Sequence, residues 1–255
     1  MRLATLFLLC LILALPARAE QVVAGLSQTR VAITTNFAGS EILIFGAVKR
    51  EAPLPDGALH VVVTVAGPSM PVTVRRKERR LGIWVNTEAV GIGAAPSFYA
   101  VAATAPLSEA LTEDQDTLHK VSIPRAIRAV GPAGAADEAS EVDSFVEALI
   151  RIRSRKGLYQ DLPGAVALSE DTLFSTSIAL PANLTEGDYR TRIFLTREGE
   201  VIDAFETAIG VRKVGLERWV FLLAHDQPLI YGILSLAVAI AAGWGASAVF
   251  RLVRG

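Results

Sequence analysis

The run His60-Val61-Val62-Val63-Thr64-Val65 decides the fold. Its five consecutive β-branched residues lose side-chain freedom in a helix and pack well on a pleated surface. The run has strand length, and breakers close it on both sides, at residues 53–57 and at Gly67-Pro68. Outward from it the same grammar repeats. Val31-Ala32-Ile33-Thr34-Thr35 and Glu41-Ile42-Leu43-Ile44-Phe45 lie upstream, parted by Gly39-Ser40, and shorter runs lie downstream at 72–75, 83–85 and 98–102. Strands at about ten-residue spacing predict an antiparallel sandwich. A parallel α/β sheet needs a helix between successive strands, and residues 20–130 leave no room for one.

The period changes once. Over 137–156, Val142, Phe145, Val146, Leu149 and Ile150 fall at helical intervals, with acidic residues early and Arg151, Arg153, Arg155 and Lys156 late. That order complements the helix dipole, and Gly157 supplies a stop. Strands resume at 172–180, 189–196 and 201–211, the last two joined by the turn Arg197-Glu198-Gly199-Glu200. Gly187-Asp188-Tyr189 enters its strand in the manner of the tyrosine corner of Greek-key sandwiches. The fold class expected is mainly β: an immunoglobulin-like antiparallel β-sandwich, either one sandwich interrupted by the helix or two packed together.

Both ends of the chain are hydrophobic. Arg2, an uncharged stretch of 13 residues at 3–15, and Ala17-Arg18-Ala19 form the three parts of an export signal. As a helix, that stretch covers only about 20 Å of a roughly 30 Å hydrocarbon core, which favours cleavage after Ala19 over a retained anchor. Cys10 within it has no small residue before it, which argues against a lipoprotein signal. At the other end, residues 229–250 contain no charge. They span about 33 Å as a helix, enough to cross a bilayer. Asp226 is expected to cap that helix and Pro228 to occupy its first turn. Trp219, Tyr231 and Trp244 suit the two interfaces, and Arg251 and Arg254 put the tail in the cytoplasm by the positive-inside rule. The expected order is a signal peptide (1–19), a β-sandwich region (20–130), a linker and amphipathic helix (131–157), a second β region (158–218), an interfacial segment (219–228), a transmembrane helix (229–250) and a cytoplasmic tail (251–255). The resulting protein sits in a bacterial inner membrane with its β-structure in the periplasm.

Without Arg2, Arg18, Arg251 and Arg254 the chain keeps 21 basic against 26 acidic groups. This mildly acidic surface argues against a nucleic-acid partner. The single cysteine leaves with the signal, so packing alone must hold the exported body together.

Catalytic constellations are not visible. His60, His119 and His225 stand more than 50 residues apart, and no nucleophile elbow, P-loop or dinucleotide fingerprint is present. Glu113-Asp114-Gln115-Asp116 resembles a piece of a calcium loop without its glycine and closing glutamate, and is read as a solvated loop. Asn183-Leu184-Thr185 marks an exposed turn. The expectation is a protein that is not an enzyme and uses no cofactor and no metal.

Two features remain for contact with a partner. Arg75, Arg76, Lys77, Arg79 and Arg80 surround Glu78 between two predicted strands. They serve either an anion, a lipid headgroup or a docking partner, or else a charged hairpin tip that keeps a sheet end soluble. In the membrane helix, Ser235, Ala239, Gly243 and Ser247 recur every four residues, a spacing that lets helices approach closely. An alanine-rich composition produces such stripes too.

Residues 26–47, with Thr35-Asn36-Phe37-Ala38-Gly39-Ser40 and Ile44-Phe45-Gly46-Ala47, carry a family resemblance. So do Arg75-Arg76-Lys77-Glu78-Arg79 with Gly82-Ile83-Trp84-Val85-Asn86, and Val211-Arg212-Lys213-Val214-Gly215 through Trp219. Over nearly its whole length the chain resembles an uncharacterised family of alphaproteobacterial transmembrane proteins. The resemblance implies an inner-membrane protein without assigned activity, in the company of a sulfite-exporter-type permease. Two functions are expected from the whole: an accessory or scaffold subunit presenting its sandwich to a membrane or envelope partner, or a periplasmic small-anion-binding or sensory domain. Membrane association, through a membrane-protein partner or self-association of the helix, is expected in either case.

Overall fold

The computed structural model describes residues 20–34, 37–51, 56–129 and 136–254. The expected export signal with Cys10, most of the linker before the long helix, and the side chains of Arg251 and Arg254 lie outside the described residues. The first strands are β1 (Glu20–Leu26), β2 (Arg30–Ile33), β3 (Ser40–Arg50), β4 (Leu59–Ala66), β5 (Ser69–Arg80), β6 (Ile83–Pro96) and β7 (Tyr99–Ala103). Three short helices follow, α1 (Leu107–Ala110), α2 (Glu113–His119) and α3 (Ile123–Ala126), then β8 (Arg128–Ala129) and the long helix α4 (Ala136–Arg155). The chain continues through β9 (Tyr159–Pro163), β10 (Ala167–Ser169), β11 (Leu173–Leu180), β12 (Gly187–Arg197) and β13 (Glu200–Lys213), and ends in α5 (Leu216–Asp226) and α6 (Pro228–Arg254).

β4 organises the β-rich body. Val61, Val63 and Val65 on one face and Val62 and Thr64 on the other are all buried, so this strand is covered on both sides. It sits inside a six-stranded sheet of order β2-β13-β12-β4-β7-β9, where β7 is buried along its length. A four-stranded sheet, β1-β3-β11-β10, packs on one face through β1 against β12 and β11 against β7. β11 shows the alternation this demands, with Phe174, Thr176, Ile178 and Leu180 buried and the residues between them more exposed. Burying Ile178 alone contributes roughly 1.5–3 kcal/mol. On the other face, Val62, Val101 and Phe194 meet Phe145 and Leu149 of α4, Leu111, Val121 and Ile123 from the α1–α3 region, and Val74 and Ile92 of the third sheet, β5-β6-β8. The mainly β expectation holds, and the sheet pair is flanked by a further layer of helices and a ribbon.

Several local expectations hold. Tyr189 donates from its hydroxyl to the Thr185 carbonyl at 2.8 Å, the tyrosine-corner bond. Glu198 and Gly199 both have positive φ, which makes the β12–β13 connection a two-residue hairpin turn of the type that matches strand twist. Among the described side chains of α4, Phe145 and Leu149 are the buried ones, at positions its periodicity predicts. Asn183 is exposed in a turn.

Others need correction. β7 and β9 pair in parallel, because the 103–159 connection carries α1 to α4 and is long enough for a crossover. Glu113, Asp114 and Asp116 belong to α2 rather than to a loop. Thr112 caps that helix, and the Asp116 carboxylate accepts from the Val121 and Ser122 amides at 3.1 and 2.7 Å, closing the following turn. Arg153, grouped with the dipole-complementing cations, donates to the Pro96 carbonyl and to the Tyr159 hydroxyl, at 2.9 Å in the latter case, and so ties α4 to β6 and β9.

The described residues fall into two compact units, one of residues 20–31 and 38–211 and the other of residues 32–37 and 212–254. In the second, the Val214 amide donates to the Ile33 carbonyl at 2.9 Å, and α5 leads into α6. Pro228 opens α6 as expected. Asp226 does not cap it, because Asp226 ends α5; the Gln227 carbonyl accepts the Tyr231 amide at 3.1 Å instead. Within α6, Pro228–Ser247 is a 20-residue window apolar enough to cross a membrane, and none of it is buried in the protein.

Candidate functional site: a basic ribbon with an apolar tip

Arg75, Arg76, Lys77, Arg79 and Arg80 do not occupy a turn. They form the distal half of β5, paired in register with β6 from Arg75↔Ala89 to Arg80↔Ile83. The turn is Leu81-Gly82, both at positive φ (50° and 85°), a two-residue connection that keeps the strands twisted together. A run of five cations suggests a hairpin tip, whereas the β-branched and aromatic residues on either side of Gly82 mark strands that run through it.

Because β5 is a strand, its cations separate onto two faces. Arg76 shares the Val74 face and turns toward α4. Its guanidinium lies 4.9 Å from the Phe145 ring centre, donates to Ser144 at 3.2 Å, and pairs with Glu88 at 2.5 Å. Arg80 pairs with Glu78 at 3.3 Å in an exposed arrangement of small energetic value. Arg75, Lys77 and Arg79 point the other way, are exposed, and make no ion pair or hydrogen bond among the described residues. A bulge between Arg76 and Lys77 places Thr87 as the extra residue of β6 and sharpens the local twist.

Apolar residues occupy the end of this ribbon. Leu81 is fully exposed at 104%, Ile83 at 64% and Trp84 at 68%. Trp84 is the cross-strand partner of Arg79, so indole and guanidinium occupy one face. Leucine in the left-handed region costs about 1–2 kcal/mol relative to glycine, and turns of this kind favour asparagine or aspartate there. The ribbon keeps an apolar side chain where turn chemistry prefers a polar one.

A concave feature lies elsewhere in the body. A cavity of about 350 Å³ is lined by Tyr99, Lys120, Asp188, Arg190 and Arg192 among others. Two of its cations are engaged. Arg190 pairs with Glu206 at 3.1 Å, and Arg192 donates to the His119 and Lys120 carbonyls at 2.6 and 3.1 Å. Tyr99 donates to the Val121 carbonyl at 2.6 Å, and burial pushes its hydroxyl up to about 12. His60 contacts Thr104 at 3.1 Å and His119 packs on the Phe194 ring at 5.4 Å. Among the described residues no three histidine, cysteine or acidic side chains gather as a metal site.

On α6, Ser235, Ala239, Gly243 and Ser247 all lie exposed at four-residue spacing along one side of the helix.

A β-rich body on the same chain as one apolar, unburied helix long enough to cross a bilayer defines a membrane protein with one candidate C-terminal span. A family model described as "Putative transmembrane protein (Alph_Pro_TM)" matches residues 21–252, and the chain belongs to this alphaproteobacterial family. A search of curated proteins gives no match. Among solved structures, the chain is similar to the sporulation control protein Spo0M of Bacillus subtilis at 10% identity with a TM-score of 0.28, covering 82% of this chain and 55% of that one. So low a score carries no argument.

Proposed function

We propose that the protein is a non-enzymatic accessory or scaffold subunit, anchored in the inner membrane by α6 with its β-body in the periplasm. In this role it presents that body to a membrane or envelope partner. The observation that supports the reading is the exposed β5–β6 ribbon on a chain that also carries a candidate span. Large apolar side chains left exposed beside charged ones are characteristic of interaction surfaces. The rest of the hydrogen-bonded chemistry described above serves structure: Arg153, Arg192, Asp116 and Tyr99 each hold backbone groups.

Crosslinking in native membranes followed by purification in mild detergent tests the role. A partner recovered in fixed proportion, with a sulfite-exporter-type permease as the first candidate, supports it. Recovery of the uncombined chain alone under efficient crosslinking removes it. A reporter fused to the C-terminus tests the orientation, and periplasmic accessibility of that reporter overturns it.

A second reading is a small-anion-binding body, which the Lys120-Arg190-Arg192 cavity favours. Titration calorimetry of the detergent-solubilised chain with sulfite, sulfate and phosphate tests it, and absence of heat with all three discards it.

A further inference from the structure

We propose that the β5–β6 ribbon is a membrane-surface finger. Its tip, Leu81, Ile83 and Trp84, enters the headgroup region of a bilayer containing anionic phospholipid, and Arg75, Lys77 and Arg79 bind the lipid phosphates. The inference rests on the membrane-anchored reading above and names the occupant of the ribbon.

Charge is the first argument. Residues 75–88 hold five cations and only two carboxylates, Glu78 and Glu88, on a chain whose body is acidic overall. Both carboxylates are already matched, by Arg80 and Arg76. What remains is a row of cations on alternate residues of one strand face, about 6.8 Å apart along the strand. A row without countercharge among the described residues is complementary to a surface of repeated phosphates, whereas a single small anion would engage one end of it.

The tip is the second argument. Apolar side chains at 64%, 68% and 104% exposure occupy the end of the ribbon, Ile83 and Trp84 opposite Arg80 and Arg79 and Leu81 beyond them. Trp84 beside Arg79 combines an amphipathic ring with a cation in the arrangement that suits the zone between headgroup and acyl chain. The outermost turn carries a leucine, at φ 50°, where a polar residue is usual, and insertion would give that side chain an apolar environment.

Tethering is the third. The candidate span starts at Pro228 and is joined covalently to β13 through residues 214–227, so the ribbon meets bilayer as a tethered site meets its ligand, at high effective concentration. Weak individual contacts then suffice. Each exposed cation near an anionic surface is worth about a fivefold change in partition.

Two single-tryptophan versions of the full chain test the proposal in proteoliposomes carrying brominated acyl chains. One keeps Trp84 (Trp219→Phe, Trp244→Phe) and the other keeps Trp244 within the span (Trp84→Phe, Trp219→Phe). Vesicles are either phosphatidylcholine alone or an equal mixture of phosphatidylcholine and phosphatidylglycerol. Trp84 emission is expected to be quenched by bromine, and blue-shifted by the less polar surroundings, in the anionic vesicles only, and the triple change Arg75→Gln, Lys77→Gln, Arg79→Gln is expected to abolish both responses. These three residues are exposed and unpaired, so circular dichroism should be unchanged, which separates lost binding from lost folding. Trp84 that stays open to aqueous iodide in both vesicle types, while Trp244 is quenched by bromine, overturns the finger and leaves the anchor intact. Trp84 shielded in native membranes but not in pure lipid identifies a protein as the occupant and likewise overturns it. Trp244 open to iodide overturns the anchored reading itself.

Discussion

Glu20 and Arg197, 177 positions apart, meet at 3.0 Å where the first strand reaches the hairpin end of β12. The same carboxylate takes the Arg50 Nε at 2.7 Å, and Arg50 goes on to donate to Thr172 at 3.1 Å and to the Asp171 carbonyl. Glu20 is thus the shared acceptor of two guanidiniums from different sheets. Its side chain is only 3% exposed, against 17% for Arg50 and 10% for Arg197.

Removing the carboxylate charge takes from two nearly buried guanidiniums the anionic acceptor that they share. Glu20→Gln should therefore destabilise the body by about 3–5 kcal/mol. Burial by itself raises the Glu20 carboxyl, but the hydrogen bonds and charges of Arg50 and Arg197 together bring it below the ordinary glutamate value. A depressed folded-state value contributes stability above the unfolded value and loses it as pH falls through the folded one. The gap between wild type and Glu20→Gln in urea unfolding should hence be constant at neutral pH and close on acidification below the ordinary glutamate range. A gap that does not change with pH would show that the charge is not responsible.

Tyr189 is fully buried, and its ring lies 5.9 Å from that of Phe98. Its hydroxyl bond to Thr185 fixes the entry of β12, next to Gly187. Tyr189→Phe keeps the ring contact and strands one carbonyl, a loss of about 1–2 kcal/mol. Equal unfolding midpoints for the two proteins would show that the corner bond is dispensable.

That corner was legible because its chemistry is local: a glycine, a tyrosine and a carbonyl four residues upstream. The strands of 172–180, 189–196 and 201–211 were legible for the same reason, and each appears with its ends moved by at most two residues. The layer count was written less openly. Val61 to Val65 lacks alternation, and a strand buried on both faces reads as an unbroken apolar run, so the third layer was implied by the stretch that first indicated a strand. Sheet order was not readable, since β3 pairs with β11 across more than a hundred residues. α1 and α3, four residues each, were missed because they lack a periodic face; tertiary contacts hold them. The ribbon was misread because five cations obscured a pairing register that depends on the Leu81-Gly82 turn. Its exposed tip depends on what fails to cover Trp84, which no local pattern encodes.

Gly46 sits in β3 where space is shortest. A Cβ there would lie 2.5 Å from the Phe174 ring and 2.6 Å from the Val23 carbonyl oxygen. The ring is buried and the carbonyl belongs to the paired strand β1, so neither can retreat freely. Gly46→Ala should cost about 1–3 kcal/mol by overpacking. Gly91, with nothing within 4 Å of the same virtual atom, provides the control, and Gly91→Ala should be near neutral. Thermal unfolding of both variants decides the matter, and equal losses would contradict the packing argument.

The candidate span makes the strongest demand on its environment. Leu236 is 65% exposed and Ile240 is likewise 65% exposed, side by side on a helix that none of the other described residues buries. In water these faces would drive aggregation; in hydrocarbon they are solvated by acyl chains, and the backbone is satisfied within the helix. A single arginine at the middle of such a helix costs about 2.5–3.5 kcal/mol of insertion, and two cost about twice that. Leu236→Arg with Ile240→Arg should therefore shift the protein from the carbonate-resistant membrane fraction to the soluble or aggregated fraction. Ser235→Leu, which makes the helix more apolar, should remain in the membrane. Carbonate-resistant retention of the double-arginine protein would show that something other than this helix holds the chain at the bilayer.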